Sequence, residues 1–361
     1  MTRSSAPLRI AQVAPLWTTV PPRAYGGAEL MVSWLTEELV RRGHDVTLFA
    51  SGDSTTAARL EAVTERNLID SMADREAYLY EPYAAAAIAS ALRRASDFDV
   101  IHCHLGIASV PATALSPTPV VHTVHAGMGS VDDLWVLERF PEIQLAAMSR
   151  SQTAALTPER RRRVPVIHHG CDLDAYEPCF EDGRYLAFLG RMGPHKNPVA
   201  AIDLARSHDL PIVLAGSPQD ESEALYFEAE VKPLIDGDRV VWLGDVDHRS
   251  KVEHLRGAAA LVFPIAWEEP FGLVMIEAMA CGTPVLALSR GSVPEVVDPG
   301  VSGYHAGTIE ELRALLPRTL SLDRERVRAQ ASHRFSHLRM VDEFVDLYHA
   351  LRRRTSRWNV V

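Results

Sequence analysis

The chain has 361 residues, enough for about two domains at roughly 100–200 residues each. Hydrophobic residues make up 47% and charged residues 23%, a balance that excludes wholesale disorder. The 37 basic and 47 acidic residues give a formal net charge of −10, which argues against a nucleic-acid binder, since those carry a basic excess.

The N-terminal apolar run at 8–14 ends at Pro15 and predicts a buried strand. A loop follows through Tyr25, Gly26 and Gly27. Leu30, Met31, Trp34, Leu35 and Leu39 then fall at helical spacing, with Gly43 placed as a C-cap glycine. Residues 45–50 read as a strand and 83–95 as a helix. Short apolar runs at 100–103, 120–123, 144–147 and 164–167 read as further strands. The stretch 171–182 contains Pro178 and several acidic residues without periodicity, and reads as a linker. The rhythm restarts with strands at 185–189, 211–215, 240–243, 261–263 and 284–287 and helices at 198–206 and 272–280. One amphipathic helix over 338–354 closes the chain, with Leu338, Val341, Phe344, Val345 and Tyr348 on one stripe. This alternation predicts an α/β protein with two doubly wound parallel-sheet domains, 1–170 and 183–335. The C-terminal stretch 336–361 is expected to pack back on the first. Ligands are expected at the strand C-termini.

Cys103, Cys171, Cys179 and Cys281 form no CxxC pair, which points neither to zinc nor to a disulfide framework. Reduced thiols, no signal-peptide pattern and no apolar run of ~20 residues fit a cytoplasmic protein. Arg160–Arg163 reads as a solvated surface turn, with a membrane-lipid or acidic-partner patch as the alternative. His102 and His104 share one strand face and read as a pair satisfied by backbone; His168 and His169 read as structural.

Chemistry concentrates between Glu269 and Val285. Glu269 and Glu277 flank Pro270, Phe271, Gly272, Leu273, Val274, Met275 and Ile276. A helix opening at Gly272 would offer backbone N–H groups to a hydroxyl or an anion. Glu277 lies among apolar neighbours, where an unpaired carboxylate would cost several kcal/mol, so a hydrogen-bonded ligand is expected there. Arg191 and Lys196 stand in one loop after a strand and suit a diphosphate. Gly26 and Gly27 suit either a turn opening the first helix or close backbone approach to a ligand. A GxGxxG fingerprint is missing from that loop, which argues against a Rossmann oxidoreductase.

The segment from Glu269 to Val285 resembles the donor-binding signature of retaining GT-B glycosyltransferases of the large fourth family. Gly26-Gly27-Ala28-Glu29, Asp99-Val100-Ile101-His102-Cys103-His104, Thr123-Val124-His125, Gly190–Asn197, Gly291–Val297 and Ser302-Gly303-Tyr304 extend the resemblance over most of the chain. It implies two Rossmann-like domains facing a central cleft. It also implies a hexosyltransferase that uses a nucleotide-diphosphate sugar and a hydroxyl acceptor, which could be a small molecule, lipid or glycan. UDP-glucose is the favoured donor and GDP-mannose the next; peripheral membrane association is an accompanying expectation. By the same resemblance, Glu277 holds the ribose, while Glu269 and the backbone of Phe271, Gly272 and Leu273 hold the donor sugar. Arg191 and Lys196 neutralise the diphosphate, Gly26 and Gly27 border phosphates and acceptor, and His125 contacts the sugar. One departure is Asn197, where the family has glycine.

No cofactor or metal is expected. Asp97-Phe98-Asp99 spells a metal-binding Asp-x-Asp, but it precedes a strand, remote from the strand C-termini. The competing readings are a sugar phosphorylase or nucleotide-sugar epimerase of the same architecture, or a non-catalytic nucleotide-sugar binder.

Overall fold

A computed structural model describes residues 6–24, 26–72 and 80–358; Tyr25 of the glycine loop lies outside them. The chain divides into two compact units, 1–168 with 337–361, and 169–336. Each is built on one six-stranded parallel sheet.

The first sheet comprises β1 (Arg9–Val13), β2 (Asp45–Ser51), β3 (Arg59–Thr64), β4 (Val100–Cys103), β5 (Val120–Thr123) and β6 (Gln144–Ala146), in the order β3-β2-β1-β4-β5-β6. The second comprises β7 (Tyr185–Leu189), β8 (Ile212–Ala215), β9 (Val240–Trp242), β10 (Ala258–Phe263), β11 (Val285–Leu288) and β12 (Gly303–Ala306), in the order β12-β11-β10-β7-β8-β9. Strand order therefore reverses between β1 and β4 in the first sheet and between β7 and β10 in the second. Those two switch points are where an open α/β sheet binds its ligand, beyond the strand C-termini.

The helix Gly27–Arg41 buries Met31, Val32, Leu35 and Leu39. It stops in a Schellman turn: the His44 amide donates to the Leu39 carbonyl, the Gly43 amide to Val40, and Gly43 takes φ 86°. The helix His337–Trp358 buries Met340, Val341, Phe344, Val345 and Tyr348 in the same core cluster as Met31 and Leu35. Arg42 ties the two helices together through Asp342 at 2.5 Å and the Leu338 carbonyl at 3.0 Å. No helix among the described residues is long and apolar enough to cross a membrane.

The structure departs from the sequence reading in several places. The stretch 171–182, expected as a linker, packs within the second unit: Tyr176 is fully buried, and the Cys171 and Cys179 amides donate to the Phe335 and Cys281 carbonyls. Residues 164–167 form only an isolated bridge from Val166 to Ala147, because Pro165 removes a ladder donor. β3 and β12 go beyond the expected strands; both are edge strands with mixed exposure and weak alternation. The arginine run forms the helix Pro158–Arg163, capped by Thr157, where a turn was expected. Its Arg160 donates to the carbonyls of Phe140 and Ile143, each at 3.1 Å, and its Arg161 to those of Thr153, Ala154 and Leu156. Two of the four guanidiniums thus close the ends of neighbouring chain segments.

Candidate active site

In the second unit, the loops after β7 and β10 meet at the switch point. The Ala266 amide donates to the His195 carbonyl at 2.8 Å, stitching them together. Lys196 from the first loop and Glu269 from the second form an ion pair at 2.6 Å, with side chains 13% and 10% exposed. The indole N–H of Trp267 donates to the same Glu269 oxygen at 2.9 Å, and the Lys196 ammonium lies 5.1 Å from the Trp267 ring. Arg191 turns toward the helix Glu221–Tyr226: its Nε is 3.0 Å from Glu223 and its terminal nitrogen 2.8 Å from Asp220. Lys196 is thus held on Glu269, and Arg191 on two other carboxylates, Asp220 and Glu223. His195 is kept below its ordinary pKa by burial and by the Lys196 charge beside it.

Asn197 explains the departure from glycine. It adopts a left-handed conformation, φ 58° and ψ 53°, and caps the helix Pro198–Arg206 by accepting from the Ala200 amide. Among residues with a side chain, asparagine is one of the few that visits this region readily.

The helix Leu273–Ala280 starts at Gly272, which has φ 77° and no side chain to cap it. A Cβ there would lie 2.7 Å from the Met275 methyl. The first N–H groups of the helix therefore have no side-chain cap from this position, and such a helix start suits an oxygen ligand. The 290–292 loop fixes this turn: the Ser292 amide donates to the Glu269 carbonyl at 2.9 Å and its hydroxyl to the Phe271 carbonyl at 2.7 Å.

Glu277 is buried, as its apolar surroundings suggested, but the protein itself pairs it. Lys251 donates to its Oε1 at 2.5 Å and the Tyr176 hydroxyl donates to the same oxygen at 2.6 Å. Burial, with the Glu277 charge, pushes the Tyr176 phenol well above its ordinary pKa, so it stays a donor. Both partners occupy Oε1, leaving Oε2 as the oxygen to present to a ligand.

In the first unit, the loop after β1 leads to Gly26, which has φ 154° at the start of the helix Gly27–Arg41. A Cβ on Gly26 would fall 2.7 Å from the Pro22 Cβ. Gly27 begins the helix, and both open at the β1/β4 switch point. His125 follows β5 directly, its Nε2 3.1 Å from His104 Nδ1. Burial pushes its pKa down to about 4. His102 and His104 bond to side chains, where backbone partners were expected: His102 to Tyr348 and Thr123, His104 to Gln12 and His125. Asp99 pairs with Arg9 at 3.1 Å.

Sequence reasoning missed Asp220, Glu223, Lys251, Tyr176 and Trp267. Glu223 and Lys251 sit on polar helices that look like ordinary solvated surface. Only Trp267, two residues from Glu269, carried a local signal.

A family model described as Glycosyltransferase Family 4 matches residues 25–175, and one described as Glycosyl transferases group 1 matches residues 175–336. The D-inositol 3-phosphate glycosyltransferase of Mycolicibacterium smegmatis is 27% identical, covering 90% of this chain and 86% of that protein. The protein of the same description from Mycobacterium tuberculosis is 26% identical, over 86% of this chain and 75% of its own length. Among solved structures, AviGT4, a glycosyltransferase involved in avilamycin A biosynthesis, superposes with a TM-score of 0.72 at 26% identity, covering 96% of this chain and 98% of its own. Anabaena HepE in complex with UDP and glucose gives a TM-score of 0.72 at 18% identity, over 94% and 99% of the two chains. The two switch-point sheets and these matches agree: the chain belongs to the family-4 glycosyltransferases of GT-B fold.

Proposed function

We propose that the protein transfers a hexose from a nucleotide-diphosphate sugar to a hydroxyl acceptor, without a metal and with retention of the donor's anomeric configuration. UDP-glucose is the donor we favour, then GDP-mannose. The observation that carries this reading is the Lys196–Glu269 pair at the β7/β10 switch point, beside the Gly272 helix start. A cation, a hydroxyl acceptor and backbone donors at one place match the parts of such a donor. The diphosphate would take Lys196 and Arg191, the sugar hydroxyls would take Glu269 and the amides from Phe271 to Leu273, and the ribose would take Glu277 Oε2. Gly26 and Gly27 give the chain room beside phosphates and acceptor, and His125 is the first unit's residue proposed to touch the sugar.

In the proposed step, the bond from the sugar C1 to the diphosphate oxygen breaks and a bond from C1 to the acceptor oxygen forms on the same face. The acceptor's proton passes to the leaving diphosphate. Fixed cations and backbone donors meet the growing charge on that leaving group.

The test is incubation with UDP-, GDP- and ADP-sugars in EDTA, with candidate acceptors that include the inositol phosphate named for the relatives. Nucleotide diphosphate should appear together with an α-linked product from an α-linked donor. A sugar isomerised without an acceptor would mean an epimerase, a requirement for phosphate a phosphorylase, and binding without release a non-catalytic protein. A β-linked product, or activity restored only by Mn²⁺, would overturn the mechanism. Lys196→Ala should lower turnover roughly 100–1000-fold.

A further inference from the structure

The first sheet carries a connected set of polar side chains, of which the proposed transfer uses only His125. Parallel register sets Gln12 of β1 beside His102 of β4, and alternation puts Thr123 of β5 and His104 on the same face. Tyr348 reaches this face from the helix His337–Trp358. Gln12 Oε1 lies 2.8 Å from His104 Nε2, and Gln12 Nε2 lies 3.3 Å from the Tyr348 hydroxyl. That hydroxyl is 2.6 Å from His102 Nδ1, and His102 Nε2 is 2.8 Å from Thr123 Oγ1. His104 Nδ1 is 3.1 Å from His125 Nε2. Gln12, His102 and Tyr348 have no exposed surface and His104 is 2% exposed.

A neutral imidazole carries one N–H, so each bond in such a chain fixes the next. The direction follows from the two bonds of Tyr348. If the Gln12 amide nitrogen donates to the phenol, the phenol spends its own proton on His102, making the 2.6 Å contact an O–H donor bond. Reversal would demand an O–H···O bond of 3.3 Å and an imidazole N–H···O bond of 2.6 Å. Ordinary lengths are about 2.5–3.0 Å for the former and about 2.7–3.2 Å for the latter, so reversal puts 3.3 Å well beyond the first range and 2.6 Å below the second, whereas the amide N–H donor leaves 3.3 Å only just beyond its own range and 2.6 Å suits a hydroxyl donor. With the amide nitrogen on Tyr348, Gln12 Oε1 accepts from the His104 Nε2–H. His104 Nδ1 then carries a lone pair, and His125 must donate to it from Nε2.

We infer that Gln12, Tyr348 and His104 are positioning residues that lock His125 as its Nε2–H tautomer, so that its one proton is spent on the fold and none is left for the reaction. The inference deepens, and rests on, the reading that His125 touches the sugar. It assigns the histidine a role without acid catalysis, consistent with a leaving diphosphate that collects the acceptor's proton itself.

Long-range proton–nitrogen NMR on the full chain with ¹⁵N-histidine tests the relay before any substrate is added. His102, His104 and His125 should each show a protonated Nε2 and a bare Nδ1. A protonated Nδ1 on His125 would overturn the proposal. Gln12→Glu, whose carboxylate accepts on both sides, should reverse His102 alone to the Nδ1–H form and leave His104 and His125 unchanged; reversal of all three, or of none, would reject the connectivity. In turnover assays, His104→Leu should lower kcat about tenfold and His104→Gln, which can accept the same N–H, should recover most of it. Equal loss in both variants would reduce His104 to a packing role. If the tautomers stand but His125→Ala turns over within a few-fold of the parent, the relay survives as a structural feature and the placement of His125 at the sugar fails.

Discussion

Lys196 and Glu269 satisfy each other, so a substitution at one changes what the other is free to bind. A diphosphate that captures Lys196 strands Glu269, largely buried, until sugar hydroxyls reach it. Glu269→Ala should therefore tighten free UDP by on the order of 1 kcal/mol, the worth of a modest ion pair. The same change should weaken UDP-glucose relative to UDP by about 1–3 kcal/mol, the worth of charge-assisted hydrogen bonds. Calorimetric titration of parent and variant with both ligands checks this; weaker binding of free UDP by the variant would refute the competition. Asn197 offers a second residue-level outcome. Asn197→Gly should change stability by only a few tenths of a kcal/mol, because glycine fits φ 58° and caps nearly as well. Asn197→Val forces a β-branched side chain into the left-handed region and loses the cap, and should cost about 2–3 kcal/mol in urea unfolding.

Among the elements, arginines do work that periodicity does not reveal. The Arg160 guanidinium meets carbonyls at the end of the helix Val131–Arg139, and Arg328 and Arg324 do the same for the 171–182 stretch at Leu173, Tyr176 and Cys179. Arg160→Met should cost about 1.5–3 kcal/mol, the range for hydrogen bonds to a charged group. Arg162→Met, on an exposed residue, should stay within about 0.5 kcal/mol. Equal urea midpoints for the two variants would show that the carbonyl contacts carry no stability. This also explains what was legible in the sequence. Buried parallel strands read as continuous apolar runs, so β1, β2, β4, β5, β7 and β8 and the paired glutamates stood out. The 171–182 stretch looked like a linker because its partners, Arg324 and Arg328, lie about 150 residues away. Lys251 and Tyr176 were hidden likewise, since nothing in their own neighbourhoods points to Glu277.

At the scale of the whole molecule, acid should weaken the two units unequally. In the first unit, burial pushes His122 to about 3 and His125 to about 4, and holds His102 well below its ordinary value of 6.5. In the second, burial pushes His254 to about 4; its Nε2–H donates to the Phe188 carbonyl at 3.1 Å, and its Nδ1 has no partner among the described residues to receive a second proton. Each of these histidines binds a proton more readily in the unfolded chain, so its stability contribution is present above pH 6.5 and is lost as pH falls toward the folded value. Each contributes a slope of about 1.4 kcal/mol per pH unit over that window. Glu29 acts in the opposite direction: burial raises it from 4.5 to about 7, so the folded first unit takes up its proton first and gains stability between pH 7 and 4.5. Among the most strongly shifted groups, three histidines against one glutamate leave the first unit with two uncompensated protons between pH 6.5 and 4.5 and the second with one; burial lowers two further histidines in each unit less far, His44 and His349 in the first and His195 and His305 in the second, so these add to both declines alike. Hydrogen exchange read by mass spectrometry at pH 7, 6 and 5, corrected for intrinsic rates, should show protection falling faster in the first unit's strands. Glu29→Gln removes the only opposing group of the four and should steepen that fall by about 1.4 kcal/mol per pH unit while leaving the second unit's profile as it was. A shallower decline in the variant, or equal loss from both units of the parent, would show that these buried groups do not govern the acid response.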